Sequence, residues 1–277
     1  DAPQIEPAAS VSRTPRTFLP TTSSPAPMPP APSLHRHPTL DALSRAAARH
    51  LATDIRRTLR TQDRYALALA GGSTPERLYE LLAAEAAGPL PWPQIHLFWG
   101  DERFVPPDHP KSNAHLAART LTDPAPIPSS NVHPIPTQTD RPETAAAQYT
   151  NTLQQHVPDR DHTFDTALLG LGADGHTASL FPETGTPEER RTDEAWVRAV
   201  NAPPRHDIAS RISCTLPVLN GARQAVFLVS GARKQDALAA VLHRTAPDLP
   251  AAQVRPRDSL HWFVDEAALP PSSTASS

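Results

Sequence analysis

A chain of 277 residues with 38% hydrophobic content can bury a substantial core, as one large domain or two small ones. Its formal charge of -3 and pI near 6.5 supply no general field for nucleic acid or an anionic membrane, so any bound anion has to be held by a local site. A single cysteine, Cys214, excludes an internal disulfide and a cysteine-rich zinc centre, and no window of 18 or more apolar residues is present to span a bilayer, which predicts a soluble protein.

Residues 1–37 are crowded with Pro, Ser, Thr and Ala and carry few large apolar side chains, too few to offset the entropy of ordering them. They read as a disordered leader or linker, and Arg13 and Arg16 among hydroxyl residues leave organelle targeting open beside a default cytoplasmic location. From Thr39 the pattern turns regular: Leu40, Leu43, Ala47, Leu51, Ile55 and Leu59 lay one apolar stripe along a helix. Residues 65–70 (YALALA) predict a buried strand, followed by a helix that Thr74 caps, with Pro75 at its first position and Gly88 past its end.

Residues 95–102 (IHLFWGDE) predict a second strand, 115–121 a short helix and 143–157 a longer one. Strands follow at 164–172, 196–200 and 211–216, then a helical turn at 216–222, a strand at 225–231, a helix from 232 and a last strand at 261–266. Apolar runs of four to eight residues alternating with amphipathic helices define an α/β fold, a mostly parallel sheet with helices on both faces. The economical organisation is one domain over 38–270, with a disordered tail at 271–277.

Ligands of open α/β sheets sit beyond the carboxyl ends of the strands, and four of those ends are chemically unusual. Gly71, Gly72, Ser73 and Thr74 open a helix and could cradle an anion on bare backbone N–H groups, although a plain turn with a capped helix has the same appearance. Asp101, Glu102 and Arg103 put three charges at the end of an apolar strand, where the bland alternative is a solvated loop; Ser112 and Asn113 beyond them read equally as a helix cap.

In the third, Gly170, Gly172 and Gly175 leave the backbone bare around Asp174 and His176. Two residues apart, the carboxylate can fix the tautomer of an imidazole that takes a proton from water, or the histidine merely caps a helix starting near Thr177. Ser179 lacks the flanking pattern of a nucleophilic serine. In the fourth, Lys234, one of only two lysines among 26 basic residues, stands in the first turn of a helix, an unfavourable place for a cation unless an anion joins it. Arg211 could complete the clamp. Together these ends suit chemistry on a phosphorylated small molecule.

Taken in order, GGSTP (71–75), DERFVPPDHPKSN (101–113), GLGADGHTASLFP (170–182), RISCTLPVLNGA (211–222) and GARK (231–234) strongly resemble the 6-phosphogluconolactonase family. The resemblance spans about 39–269. It implies a Rossmann-like domain shared with glucosamine-6-phosphate deaminase and ribose-5-phosphate isomerase, and hydrolysis of 6-phospho-D-glucono-1,5-lactone to 6-phosphogluconate without cofactor or metal. It further implies His176 as general base oriented by Asp174, with Gly71, Gly72, Ser73, Thr74, Arg211 and Lys234 on the 6-phosphate and Asp101 and Arg103 in the sugar pocket.

Fusion to, or functional coupling with, glucose-6-phosphate dehydrogenase is the protein partner it suggests; nucleic acid and membrane are not expected. The chain departs from the pattern at Glu76, which follows the Pro of GGSTP and is expected to face solvent. Two other functions compete. Deaminases resemble the chain at the histidine loop but end in an Asn-Glu-Pro type sequence where this chain has Ser179 to Pro182, and a sugar-phosphate sensor would carry a DNA-binding module for which the leader has no room. Few Phe and Tyr residues and no visible hydrophobic patch predict a monomer.

Overall fold

The computed structural model describes residues 32–270; the predicted leader up to residue 31 and the tail 271–277 lie outside the described residues. Six strands, β1 (Ser33–His37), β2 (Tyr65–Leu69), β3 (Ile95–Trp99), β5 (Thr166–Gly170), β8 (Gln224–Val229) and β9 (Ser259–Asp265), form a sheet in the order β1-β9-β8-β5-β2-β3 with every pairing parallel. A second sheet, β4 (Asp101–Arg103), β7 (Ser210–Cys214) and β6 (Val197–Asn201), is antiparallel in the order β4-β7-β6.

The helices are α1 (Leu40–Thr58), α2 (Glu76–Ala83), α3 (Asn113–Ala117), α4 (Pro142–His156), α5 (Pro187–Arg191), α6 (Leu216–Asn220) and α7 (Gln235–Leu242). The predicted stripe of α1 is buried at Leu43, Ala47, Leu51 and Ile55 and packs on α2 and β9, with Thr39 capping as the hydroxyl acceptor for Ala42 N–H at 3.2 Å.

The chain winds outward from β2 to β3, then reverses through β5, β8 and β9. With right-handed crossovers that reversal puts the two runs of helices on opposite faces and opens a crevice between β2 and β5. Two buried phenols hold strand ends near this crevice: Tyr79 donates to Ala70 C=O at 2.7 Å and accepts from its N–H at 2.9 Å, and Tyr149 does the same for Trp99 at 3.1 and 2.7 Å.

Several expectations change. Residues 33–37, read as leader, form edge strand β1 against β9, its polar SLHRH sequence paired through the backbone. The predicted strand 95–102 breaks at Gly100, whose N–H still bonds Leu69 C=O in the large sheet while Asp101 already pairs with Ser213 in the small one. Thr74 makes no cap: α2 begins at Glu76 with Pro75 as its unbonded N-cap, and Gly88, at φ 89°, sits in a turn after the helix. The helix expected from 115 starts at Asn113 under a Ser112 cap, and no helix follows Thr177, because Ala178 turns the chain at φ 48°.

Candidate active site

The loop after β5 folds over itself around one residue without a side chain. Gly172 N–H donates to His176 C=O at 2.8 Å, and Gly175, at φ 82°, closes a turn back to Gly172 C=O at 3.0 Å. This brings the imidazole of His176 and the carboxylate of Asp174 onto the bare face of Gly172: a methyl there would stand 2.0 Å from His176 Nδ1 and 2.4 Å from Asp174 Oδ1. Nδ1 of His176 lies 2.5 Å from Oδ1 of Asp174, which also accepts the His176 backbone N–H at 3.2 Å.

Burial pushes the Asp174 carboxyl up, but hydrogen bonds from His176 and Arg205 outweigh it and hold the group well below the usual carboxylate range. It is therefore ionised at neutral pH, and an ionised partner fixes the proton on Nδ1 and leaves Nε2 as the basic nitrogen. Nε2 has no hydrogen-bond partner among the described residues. The ring is confined by Phe181 at 4.8 Å and by His206, edge-on at 5.2 Å.

The two hydroxyls beyond the histidine are structural. Thr177 donates back to Gly170 C=O at 2.9 Å and closes the loop, and Ser179, fully buried, donates to Asp101 at 2.6 Å. Neither acts as a cap, since no helix follows.

His176 opens on a cavity of about 400 Å³ at the carboxyl end of the parallel sheet. Gly71, Gly72, Ser73 and Thr74 form one wall, Lys234 another, and Asp101, Arg103 and Arg211 the side toward the small sheet. The structure thus brings nine of the ten sequence-predicted site residues to one cavity, with Asp174 behind His176. Lys234 occupies the N-cap of α7, one position before the expected first turn.

Arg103, Arg211 and Lys234 have no carboxylate within 4.0 Å among the described residues. Burial draws both Lys234 and Arg211 below their ordinary basicity, reinforced by Arg233 for the lysine and by Arg103 for Arg211. Concentrated, uncompensated positive charge of this kind is relieved by a bound anion.

The solvated-loop reading of 101–103 does not hold. Glu102 is 1% exposed and accepts from the N–H groups of Arg103, Asn113 and Ala114 at 2.7 Å each and from Ser112 Oγ at 3.0 Å. Burial raises its pKa in spite of those bonds. Glu76 pairs with Arg119 at 2.7 Å and does not line the cavity.

Sequence reasoning missed Asn113 as a wall of the pocket. Its amide nitrogen bonds the Asp101 carbonyl at 2.8 Å, while Oδ1 is buried without a partner over Gly71, where a methyl would meet it at 1.8 Å. Reading Asn113 as part of a cap hid that. It also missed the loop between β6 and β7, which carries Arg205, His206 and Asp207.

Donor atoms of Asp174, His176 and His206 lie within 4.8 Å of one another, a set that could hold a metal ion. The guanidinium of Arg205 already bonds the outer oxygen of Asp174 and opposes a second cation there.

A doubly wound sheet with a cation-lined crevice and a carboxylate–histidine pair at its switch point belongs to the class of α/β enzymes that act on small phosphorylated molecules. More specifically, the family model of glucosamine-6-phosphate isomerases and 6-phosphogluconolactonases matches residues 38–262, and the chain belongs to that family.

The chain is 40% identical over 223 residues to the 6-phosphogluconolactonase of a Nostoc species, covering 79% of this chain and 89% of the relative. It is 34% identical over 244 residues to that of Mycobacterium tuberculosis, covering 85% and 96%. Among solved structures, 6-phosphogluconolactonase from Thermotoga maritima superposes with a TM-score of 0.75 at 31% identity, over 85% of this chain and all of that one. A monomeric glucosamine-6-phosphate deaminase reaches a TM-score of 0.73 at 20% identity, a likeness of fold alone.

Proposed function

We propose that the chain hydrolyses 6-phospho-D-glucono-1,5-lactone to 6-phosphogluconate, the second step of the oxidative pentose phosphate pathway. The observation that carries this reading is the juxtaposition of three uncompensated cations with a histidine whose Nδ1 is held by an ionised carboxylate and whose Nε2 faces the cavity. The phosphate lies on the Gly71 to Thr74 loop against Lys234 and Arg211, which leaves the lactone ring between His176 and Arg103.

Nε2 of His176 removes a proton from water as the water oxygen bonds to C1. The charge that collects on the carbonyl oxygen is met by Arg103. Collapse of the tetrahedral species breaks the bond from C1 to the ring oxygen, which takes the proton back from His176, and the acid product ionises. General-base assistance is worth about 10²- to 10⁴-fold. Asp101 and Asn113 face the sugar hydroxyls, with the unpartnered Oδ1 of Asn113 as an acceptor.

On this reading the chain is a cytoplasmic monomer, coupled functionally to the dehydrogenase that forms the lactone. A deaminase would need a second proton-shuttling carboxylate, and among the described residues Asp101 is the one carboxylate lining the cavity.

The test generates the lactone in situ with glucose-6-phosphate dehydrogenase and follows its disappearance with the native chain and with His176→Ala. Acceleration that collapses in the variant is expected. Decay at the spontaneous rate with the native chain, or ammonia released from glucosamine-6-phosphate, would overturn the proposal.

A further inference from the structure

We infer that Arg205, on the loop between β6 and β7, is a positioning residue that locks the Asp174–His176 pair, so that the small sheet completes the base carried by the large one. The inference rests on the reading of His176 as the general base. A carboxylate that orients an imidazole through one oxygen is free to swing unless its other oxygen is held. Oδ1 of Asp174 is committed to His176, and Oδ2 accepts a hydrogen bond from Nη2 of Arg205.

The same guanidinium is anchored on its far side by both oxygens of Glu183, through Nη1 at 2.9 Å and Nη2 at 3.2 Å. Two carboxylates nine residues apart in sequence thus grip one planar fork, a geometry a lysine cannot reproduce. The rest of the loop is directed to the same place. His206 stands edge-on to the His176 ring and packs tilted against Phe181 at 4.8 Å, and Asp207 pairs with Lys111, which ties the loop to the segment after β4.

A surface ion pair is worth little to stability, and Arg205 is 43% exposed. Its consequence is electrostatic and orientational. A cation on the outer oxygen keeps Asp174 ionised and takes up part of the negative charge that would otherwise favour imidazolium at His176.

The groups facing His176 are Asp174, Arg205 and His206 on its own side and Asp101, Arg103, Arg211, Arg233 and Lys234 across the cavity. Of these His206 is drawn below the ordinary imidazole range by burial, by His176 and by Arg211. Removing Arg205 therefore loosens the ring and moves the acid limb of kcat/KM to higher pH.

The experiment compares native protein, Arg205→Ala, Arg205→Lys and His176→Ala in the lactone assay from pH 5 to 9, with thermal melts of each. Arg205→Ala is expected to lose about 10- to 100-fold in kcat with KM within about threefold, its acid limb rising by about one pH unit and Tm moving by no more than about 2 °C. Arg205→Lys returns the acid limb toward native and recovers only part of kcat. Native kcat and an unmoved limb in Arg205→Ala overturn the inference, and so does a rise in KM alone, which would make Arg205 a substrate contact. If His176→Ala is as active as native protein, the base reading has failed, independently of what Arg205 does.

Discussion

The geometry around Gly172 sets the most demanding test of the site. Gly172→Ala adds one methyl at a position whose backbone is not in the left-handed region, so the substitution brings no backbone strain of its own. The methyl would stand 2.0 Å from His176 Nδ1 and 2.3 Å from Cε1, whereas ordinary contact begins near 3.4 Å, so the imidazole has to retreat by about 1.4 Å. Phe181 and His206 flank the ring, and Asp174 tethers Nδ1, so the movement breaks the hydrogen bond that fixes the tautomer.

A misplacement of about 1 Å costs on the order of 10²-fold in rate, or about 2.7 kcal/mol in the barrier. The expected result is therefore at least that loss in kcat with little change in KM, because the proposed phosphate contacts lie on other elements. The assay is disappearance of enzymatically generated lactone, corrected for spontaneous hydrolysis, over a range of lactone concentrations. A variant within threefold of native kcat would mean that the ring position is not what the rate depends on, and the assignment of His176 as base would fall with it.

Two other outcomes follow from the charges. Lys234→Met removes a charge-assisted contact worth about 1.5–3 kcal/mol, so KM for the phosphorylated lactone should rise by roughly 10- to 100-fold with kcat little changed, while unphosphorylated gluconolactone is handled as before; an equal loss on both lactones would refute a phosphate role. Stability should fall with acid. His133 and His261, in two separate three-histidine clusters at opposite edges of the large sheet, are drawn down to about 4, mainly by burial and then by neighbouring histidines. Their folded pKa lies below the unfolded value near 6.5, so the unfolded chain binds more protons, and stability is lost as pH drops from about 6.5 toward 4. Glu102 and Asp165, raised by burial, act in the opposite sense. Melting His133→Gln beside the native chain isolates the histidine part: the variant should show a shallower fall in Tm between pH 7 and 5, and identical slopes would count against it.

The parallel sheet was legible because strands covered on both faces read as continuous apolar runs. Tyr65 to Leu69 are all buried, and every residue of β8 is too. The antiparallel sheet was not: WVRAV and RISCTL are recognisable as strands, but nothing local to them says that they pair with each other and with three charged residues after Gly100. β1 escaped notice because an edge strand need not be apolar; its register against β9 is a long-range fact. The site was legible to the extent that its residues mark strand ends. Arg205 and Asn113 were invisible for the opposite reason, since Asn113 reaches the cavity, and Arg205 the outer oxygen of Asp174, from a segment whose own pattern is that of an ordinary loop or helix start.

Ser179 shows why the whole group had to arrive together. Its hydroxyl binds the Asp101 carboxylate, Asp101 binds Asn113, and Asn113 covers Gly71 at the start of the phosphate loop. The histidine loop, the first strand of the small sheet and Asn113 are thereby joined by buried hydrogen bonds, and the Gly71 loop by the close approach of Asn113, each link on a separate stretch of chain. Such a network holds its geometry only when every member is satisfied. Its single unpaired buried atom is Oδ1 of Asn113, a residue that also lines the cavity. Rigidity among the Gly71 loop, Asp101 and the histidine loop is then built into the fold itself, so that on the proposed reading substrate binding does not have to assemble the site.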